Sequence, residues 1–299
     1  MEPAVSVVIP TCNRPDSIRN CLAALSRQSP APGAFEVIVV DDGSSRPLEL
    51  DPGEWAYSFD LRVIRQENRG PAAARNRGVA ESRCEILVFT DDDCIPIPDW
   101  LEHLVAPLNE YPDALVGGAT FNGLKHDLCA ETSQIILDMV YDHFNRGPKG
   151  AYFLASNNFA CRRDAYLTSG GFDADFFVAS EDRDFCDRWR MRNRPLLWAP
   201  DALVEHRHAQ TLWKFVSLHY RYGRGAYLYQ VKRRERNSGT MQDDLGFHRS
   251  IIRQISRKLF GYSVSARVSI AGLLIVWQIA NAVGFFRQAI TNTIRISGK

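Results

Sequence analysis

The sequence predicts an α/β fold: a mostly parallel central sheet flanked by helices, followed by a basic helical C-terminal extension. Three observations carry this expectation. Short β-branched runs alternate with segments of helical periodicity over the first 100 residues. Several of those runs stop at a proline or an acidic turn cluster. Charge also divides the chain. Residues 1–211 hold 21 Lys/Arg against 32 Asp/Glu, a net of −11, whereas residues 212–299 hold 15 against 3, a net of +12.

Val5-Ser6-Val7-Val8-Ile9, ended by Pro10, reads as a buried strand. A helix follows over Asp16–Gln28, with Ile18, Cys21, Leu22 and Leu25 at helical spacing and Asp16 as a candidate cap. Phe35–Val40 is a second buried strand, stopped by Asp41-Asp42-Gly43-Ser44-Ser45, and Leu61–Ile64 is a shorter third. Pro71–Ser82 is an Ala-rich helix opened by Gly70-Pro71, and Ile86–Phe89 is a fourth strand ended by Asp91-Asp92-Asp93. From about 114 to 160 the pattern is mixed, with a helix over Thr132–Phe144 and Leu154–Ala160 as strand or loop. Gly170-Gly171-Phe172 marks a turn, Glu181–Asn193 a helix, Leu203–His208 a short strand, and Thr211–Arg236 a long aromatic and basic helix. Val268–Phe286 contains no charge and is flanked by Arg267 and Arg287. Such a segment is marginal for a membrane span; it is equally consistent with an interfacial helix or one packed on the protein.

A chain of 299 residues, 45% of them hydrophobic, can bury a large core. Its seven cysteines are an odd number with no C-x-x-C pair, which excludes a disulfide framework and a zinc site and fits a reducing cytosol. Met1–Thr11 reads as a strand entering a fold rather than as a signal peptide.

Ligands of parallel sheets bind beyond the carboxyl ends of the strands. Two acidic clusters fall there, after Val40 and after Phe89. Acidic residues also form turns, and Asp41-Asp42-Gly43-Ser44 alone says no more than that. Three consecutive aspartates repel one another unless a cation or donors compensate. In an extended backbone Asp91 and Asp93 would share a face, with Asp92 pointing elsewhere. Oxygen-seeking Mn²⁺ or Mg²⁺ suits such a cluster, with His206 or His208 as a possible imidazole ligand. Glu181-Asp182 offers a base at a helix start, where the helix dipole would hold its pKa low. Arg69, Arg75 and Arg77 surround the Ala-rich segment; arginine forks suit phosphate, although Arg77 also fits a solvated helix face.

Taken in order, these segments resemble glycosyltransferase family 2 over about residues 4–225. They are Ser6–Arg14, Val37–Ser44, Asn68–Gly78, Phe89–Asp93 and Ser180-Glu181-Asp182. The resemblance implies a GT-A-type, Rossmann-like fold and inverting, metal-dependent transfer of a sugar from a nucleotide-diphosphate sugar to an acceptor hydroxyl. It implies that Pro10 and Asp42 lie at the nucleobase pocket, that Arg75 approaches the donor, and that Asp92 lies near ribose or sugar. Asp91 and Asp93 match the ends of the family's D-x-D motif, with Asp93 the metal ligand and His206 its partner. Asp182 matches the base, Glu181 supports it, and Trp100 borders the acceptor site. The expected cofactor is Mn²⁺ or Mg²⁺.

The expected domains are a catalytic domain over 1–225, with a nucleotide-sugar-binding half over about 1–113 and an acceptor half over 114–225, then a basic helical extension over 226–299. No Q-x-x-R-W motif follows the acidic pair, so one or a few additions are expected rather than processive polymerisation, in glycan, polysaccharide or glycolipid synthesis. The expected location is cytoplasmic, with an anionic membrane surface as a candidate partner of the extension and no specific nucleic acid partner. The competing readings are a nucleotidyltransferase, which would want a Gly-rich loop after the first strand, and a catalytically silent sugar-nucleotide-binding scaffold.

Overall fold

The computed structural model describes residues 4–29, 34–55, 58–145, 150–177 and 179–297; Met1–Pro3, part of the expected first strand segment, lie outside them. The chain divides into two compact units. One comprises Met1–Phe121, Lys149–Phe177 and Glu181–Arg207; the other comprises Asn122–Pro148, Val178–Ser180 and His208–Lys299.

The first unit is built on an eight-stranded sheet. Its strands are β1 (Val5–Thr11), β2 (Phe35–Asp42), β3 (Asp60–Gln66), β4 (Ile86–Thr90), β5 (Cys94–Pro96), β6 (Leu115–Asn122), β7 (Asn158–Arg162) and β8 (Leu196–His206). They lie in the order β3-β2-β1-β4-β7-β6-β8-β5. The run β3-β2-β1-β4 is parallel throughout, and β4–β7, β6–β7 and β5–β8 are antiparallel. The α/β expectation therefore stands, with the parallel strands where the alternating pattern placed them.

Period-two alternation sends the strand residues to two faces. Val7, Ile9, Val37 and Val39 pack with Ile18 and Leu22 of α1 (Pro15–Leu25) and with Trp100 and Leu104 of α3 (Trp100–Glu110). On the other face Val8, Leu87 and Phe89 pack with Phe185 and Trp189 of α6 (Glu181–Arg190). There Ile38 and Val40 meet Ala74 of α2 (Gly70–Glu81). All seven cysteines are free.

Several boundaries differ from the sequence expectation. Pro10 does not end β1; it sits opposite Val40 and the strand continues to Thr11, since proline withholds only its N–H from a ladder. Asp16 is not a cap: Arg14 holds that position without a side-chain cap bond, and Pro15 occupies the first turn, where a missing N–H costs nothing. Strand β2 absorbs Asp41 and Asp42, and β8 begins at Leu196 rather than Leu203.

The second unit is helical. It contains α4 (Leu128–Phe144), α7 (Leu212–Arg236), α8 (Met241–Lys258) and α9 (Val264–Ser297); the short α5 (Arg163–Thr168) belongs to the first unit. Helix α4 starts before Thr132 because Asp127 caps it, accepting from the N–H groups of Cys129 and Ala130. Thr211 caps α7, whose other end closes on Asn237 in the left-handed conformation, φ 53°. Ile135, Met139, Phe215, Phe247, Ile251 and Trp277 belong to one shared core.

Candidate active site

The parallel pairing β2-β1-β4 brings three carboxyl-end loops side by side: 11–14, 41–45 and 91–93. Asn13, in the left-handed conformation at φ 56°, joins the first two. Its N–H donates to Ser44 Oγ at 2.8 Å, and its Oδ1 accepts from Ser45 N–H at 2.8 Å. Gly43 (φ 74°) is needed for the second loop, because a Cβ there would stand 2.6 Å from the backbone nitrogen of Asn68.

Beyond β4 the backbone turns at Asp92 and Asp93 instead of staying extended, so Asp91 and Asp93 do not simply share one face. Asp91 pairs with Arg75, whose Nη2 lies 2.6 Å from Oδ1. Asp92 is buried; it accepts from Thr11 Oγ1 at 2.6 Å and from Arg14 Nη1 at 3.0 Å. Arg14 Nη1 also reaches Asp93 Oδ2 at 2.8 Å. The other Asp93 oxygen lies 3.2 Å from His206 Nε2. Strand register explains that pair, since Cys94 faces His206 across β5–β8. Burial pushes the Asp92 carboxyl up to about 6, Arg14 pulling against it and Asp93 reinforcing it. Burial lowers the His206 pKa, but the charge and hydrogen bond of Asp93 together with the charge of Asp91 outweigh it, and the net direction is up.

Arg75 is the hub. It is buried, and besides Asp91 it holds Glu181 Oε1 at 3.0 Å through Nη1, with its guanidinium 5.5 Å from the Phe172 ring centre. One arginine thus joins the end of β4 to the start of α6. Asp182, next in α6, accepts from Arg183 N–H at 2.8 Å. Its carboxyl is pushed up to about 7, first by burial and then by Glu181. The helix start does not keep it low: desolvation and a neighbouring carboxylate outweigh a fractional dipole charge.

Asp42 is buried and already engaged. Its oxygens accept from Gln66 Nε2 (2.8 Å), Arg69 N–H (2.9 Å) and Gly70 N–H (2.9 Å), holding the first turn of α2. A carboxylate offers about four acceptor sites, so capacity for one more donor remains. Pro10 is half-buried in β1. Trp100 lies elsewhere: it is fully buried, and its Nε1–H donates to Asn158 Oδ1 at 2.8 Å. It fills the core instead of lining an open acceptor surface. His208, the alternative imidazole, falls in the second unit. Sequence reasoning missed Arg14 and Thr11 as partners of the aspartates. The one available signal was a conspicuous cation and hydroxyl following the first buried strand.

The donor set fits a hard divalent cation. Cis ligands about 2.1 Å from an octahedral ion lie about 3 Å apart, and Asp93 Oδ1 and His206 Nε2 are 3.2 Å apart. The three aspartates also sit among cations, with Arg14 and Arg75 bound to them.

A sequence profile described as Glycosyl transferase family 2 matches residues 6–168. The chain is 30% identical over 231 residues to a pre-mycofactocin glycosyltransferase of Mycobacterium tuberculosis, covering 74% of this chain and 46% of that protein. It is 38% identical over 118 residues to glycosyltransferase AglE of Haloferax volcanii, 39% of each chain. The chain thus spans less than half the length of these curated relatives. In fold it is similar to the mannosyltransferase PcManGT from Pyrobaculum calidifontis in complex with GDP-Man and Mn²⁺, with TM-score 0.63, 18% identity and coverage of 98% of this chain and 88% of that one. It is also similar to GalNAc-T7 with UDP, GalNAc and Mn²⁺, with TM-score 0.54, 15% identity and coverage of 83% and 54%. With the profile covering more than half of its length, and with the GT-A architecture of these neighbours, the chain belongs to glycosyl transferase family 2.

Proposed function

We propose that this protein transfers a sugar, with inversion at the anomeric carbon, from a nucleotide-diphosphate sugar to an acceptor hydroxyl. The observation that carries this reading is the Arg75 bridge, which joins Asp91 to Glu181 and so sets the candidate base beside the β4 aspartates. The proposed catalytic domain is residues 1–225, divided near 113 into donor and acceptor halves and followed by the extension 226–299.

In this reading the strand-end loops hold the donor. Asp42 and Pro10 face the nucleobase, and Asp92 faces ribose or sugar. Asp93, Asp91 and His206 would hold Mn²⁺ or Mg²⁺, which supplies positive charge against the leaving diphosphate. Asp182 accepts the proton of the acceptor hydroxyl while its oxygen bonds to the anomeric carbon. The bond from that carbon to the diphosphate oxygen breaks as the new one forms on the opposite face, and the nucleoside diphosphate leaves with the electron pair. Glu181 and Arg75 position Asp182. Addition is non-processive and serves glycan, polysaccharide or glycolipid synthesis in the cytoplasm, with the basic extension at the cytoplasmic face of a membrane.

The test is release of nucleoside diphosphate from UDP-, GDP- and dTDP-sugars, with membrane extract as acceptor source. Metal-dependent release from one donor class is expected, reduced by about 10²-fold or more in Asp182→Asn. Equal release by the variant would remove Asp182 from the base role.

A further inference from the structure

Within α9, Val264–Thr293 is long and apolar enough to cross a bilayer by length and composition alone. Its two faces differ. Ile270, Leu274 and Trp277 are buried in the helical core. On the opposite face Val264, Val268, Ile275, Ile279, Phe286 and Ile290 each leave more than half of their surface exposed. At 3.6 residues per turn this stripe subtends roughly 100°. Arg267 and Arg287, both exposed, stand on its two shoulders.

Helix α7 decides how such a stripe can meet lipid. The two helices touch backbone to backbone: a Cβ on Gly223 would lie 2.0 Å from the Asn281 carbonyl oxygen, and one on Gly284 would lie 2.0 Å from that of Tyr220. Arg224 of α7 donates through Nε to Gln288 Oε1 at 2.9 Å. If α9 crossed the bilayer it would draw α7 with it, along with Arg221, Arg224 and Lys232, and charged side chains in hydrocarbon are costly. A helix lying flat immerses only the apolar stripe and leaves those charges in water. Charge then selects the occupant. Residues 212–299 hold 15 Lys/Arg against 3 Asp/Glu, which attracts an anionic surface and repels a second copy of the same face.

We propose that α9 lies in the plane of the headgroup region of an anionic bilayer, seated by this stripe and by Arg267 and Arg287, and does not span it. The proposal rests on the membrane contact offered above and is separable from the transfer chemistry.

The test uses the full chain and vesicles of phosphatidylcholine alone or mixed with phosphatidylglycerol. Flotation with the anionic vesicles is expected, falling with salt and weakened by about tenfold or more in the double variant Ile279→Glu, Phe286→Glu. Circular dichroism shows whether that variant keeps its helices. As a second probe, a tryptophan placed by Phe286→Trp should be quenched more by lipids brominated near the headgroup than near the chain ends. Alkaline carbonate should strip the native protein from cell membranes. A carbonate-resistant protein, quenched best from the bilayer centre, would mean a span and overturn the proposal. So would indifference to vesicles, or a dimer that the double variant dissolves while lipid is ignored. Nucleotide binding is measured in the same samples; its loss would sink the donor-site reading and leave this one standing.

Discussion

Asp182 illustrates how burial sets chemistry at the level of one side chain. An unfolded aspartate ionises near 3.9, whereas this one holds its proton up to about 7 because it is desolvated beside Glu181. Two consequences have opposite signs. As the proposed base, Asp182 must be ionised to accept a proton, so kcat/KM is expected to fall below about pH 7 and level off above it, with no such limb in the residual activity of Asp182→Asn. Stability runs the other way: the raised pKa favours the native state at low pH, and that advantage is lost as pH rises through about 7. Asp182→Asn should therefore raise the melting temperature at pH 8 and change it little at pH 4. A melting temperature unchanged at both would mean that the carboxyl is not held at a cost. Arg14 offers a second prediction. It bonds both Asp92 and Asp93 and is nearly half exposed, so it competes modestly with any metal. Arg14→Gln is expected to tighten Mn²⁺ binding by the nucleotide-free protein about fivefold, read by calorimetry. Weaker binding would instead place Arg14 in support of the metal.

Among the elements, Asn158 at the head of β7 joins three neighbours through one side chain. Its side chain accepts from Trp100 Nε1–H and donates to the carbonyls of Ala119 and Ala202 at 2.9 Å each, tying α3, β6 and β8 together. Asn158→Leu would strand three buried polar groups, and a loss of about 3 kcal/mol or more in denaturant unfolding is expected. A loss below about 1 kcal/mol would mean that these groups find other partners. The parallel strands were legible in the sequence because β1, β2 and β4 are buried on both faces and read as near-continuous apolar runs, interrupted within β1 and β2 by Ser6 and Glu36, which bond to each other. Strand β6 was not, since Gly117 and Gly118 interrupt its apolar signal. The structure explains them: a Cβ at Gly118 would lie 2.0 Å from the Ala202 carbonyl oxygen. Helix α3 was missed with Pro107 inside its pattern. Trp100 follows Pro98-Asp99, which suggests an acceptor loop, but it opens α3 and shares the buried face of Leu101, Leu104 and Leu108. The acidic residues of the site were readable from their position, Asp42 and Asp91–Asp93 at strand ends and Glu181-Asp182 at a helix start. Arg75 and His206 were legible as site residues only through the ordered motifs, and Arg14 was not, because the pairings that bring all three to the aspartates join segments far apart along the chain.

For the molecule as a whole, the charge division seen in composition coincides with a division of structure. The acidic body carries the sheet and the candidate site, and the basic C-terminal helices carry an exposed apolar stripe on α9. The central claim is that the strand-end loops bind a nucleoside diphosphate together with a divalent metal. It is tested most directly by calorimetric titration of UDP, GDP and dTDP, each with and without Mn²⁺, into the wild type, Asp93→Asn and Asp182→Asn. The expected result is metal-dependent binding of one nucleotide class by the wild type and by Asp182→Asn, weakened about 10-fold or more in Asp93→Asn. Binding of no nucleotide by the folded wild type, or metal-dependent binding untouched by Asp93→Asn, would contradict the account.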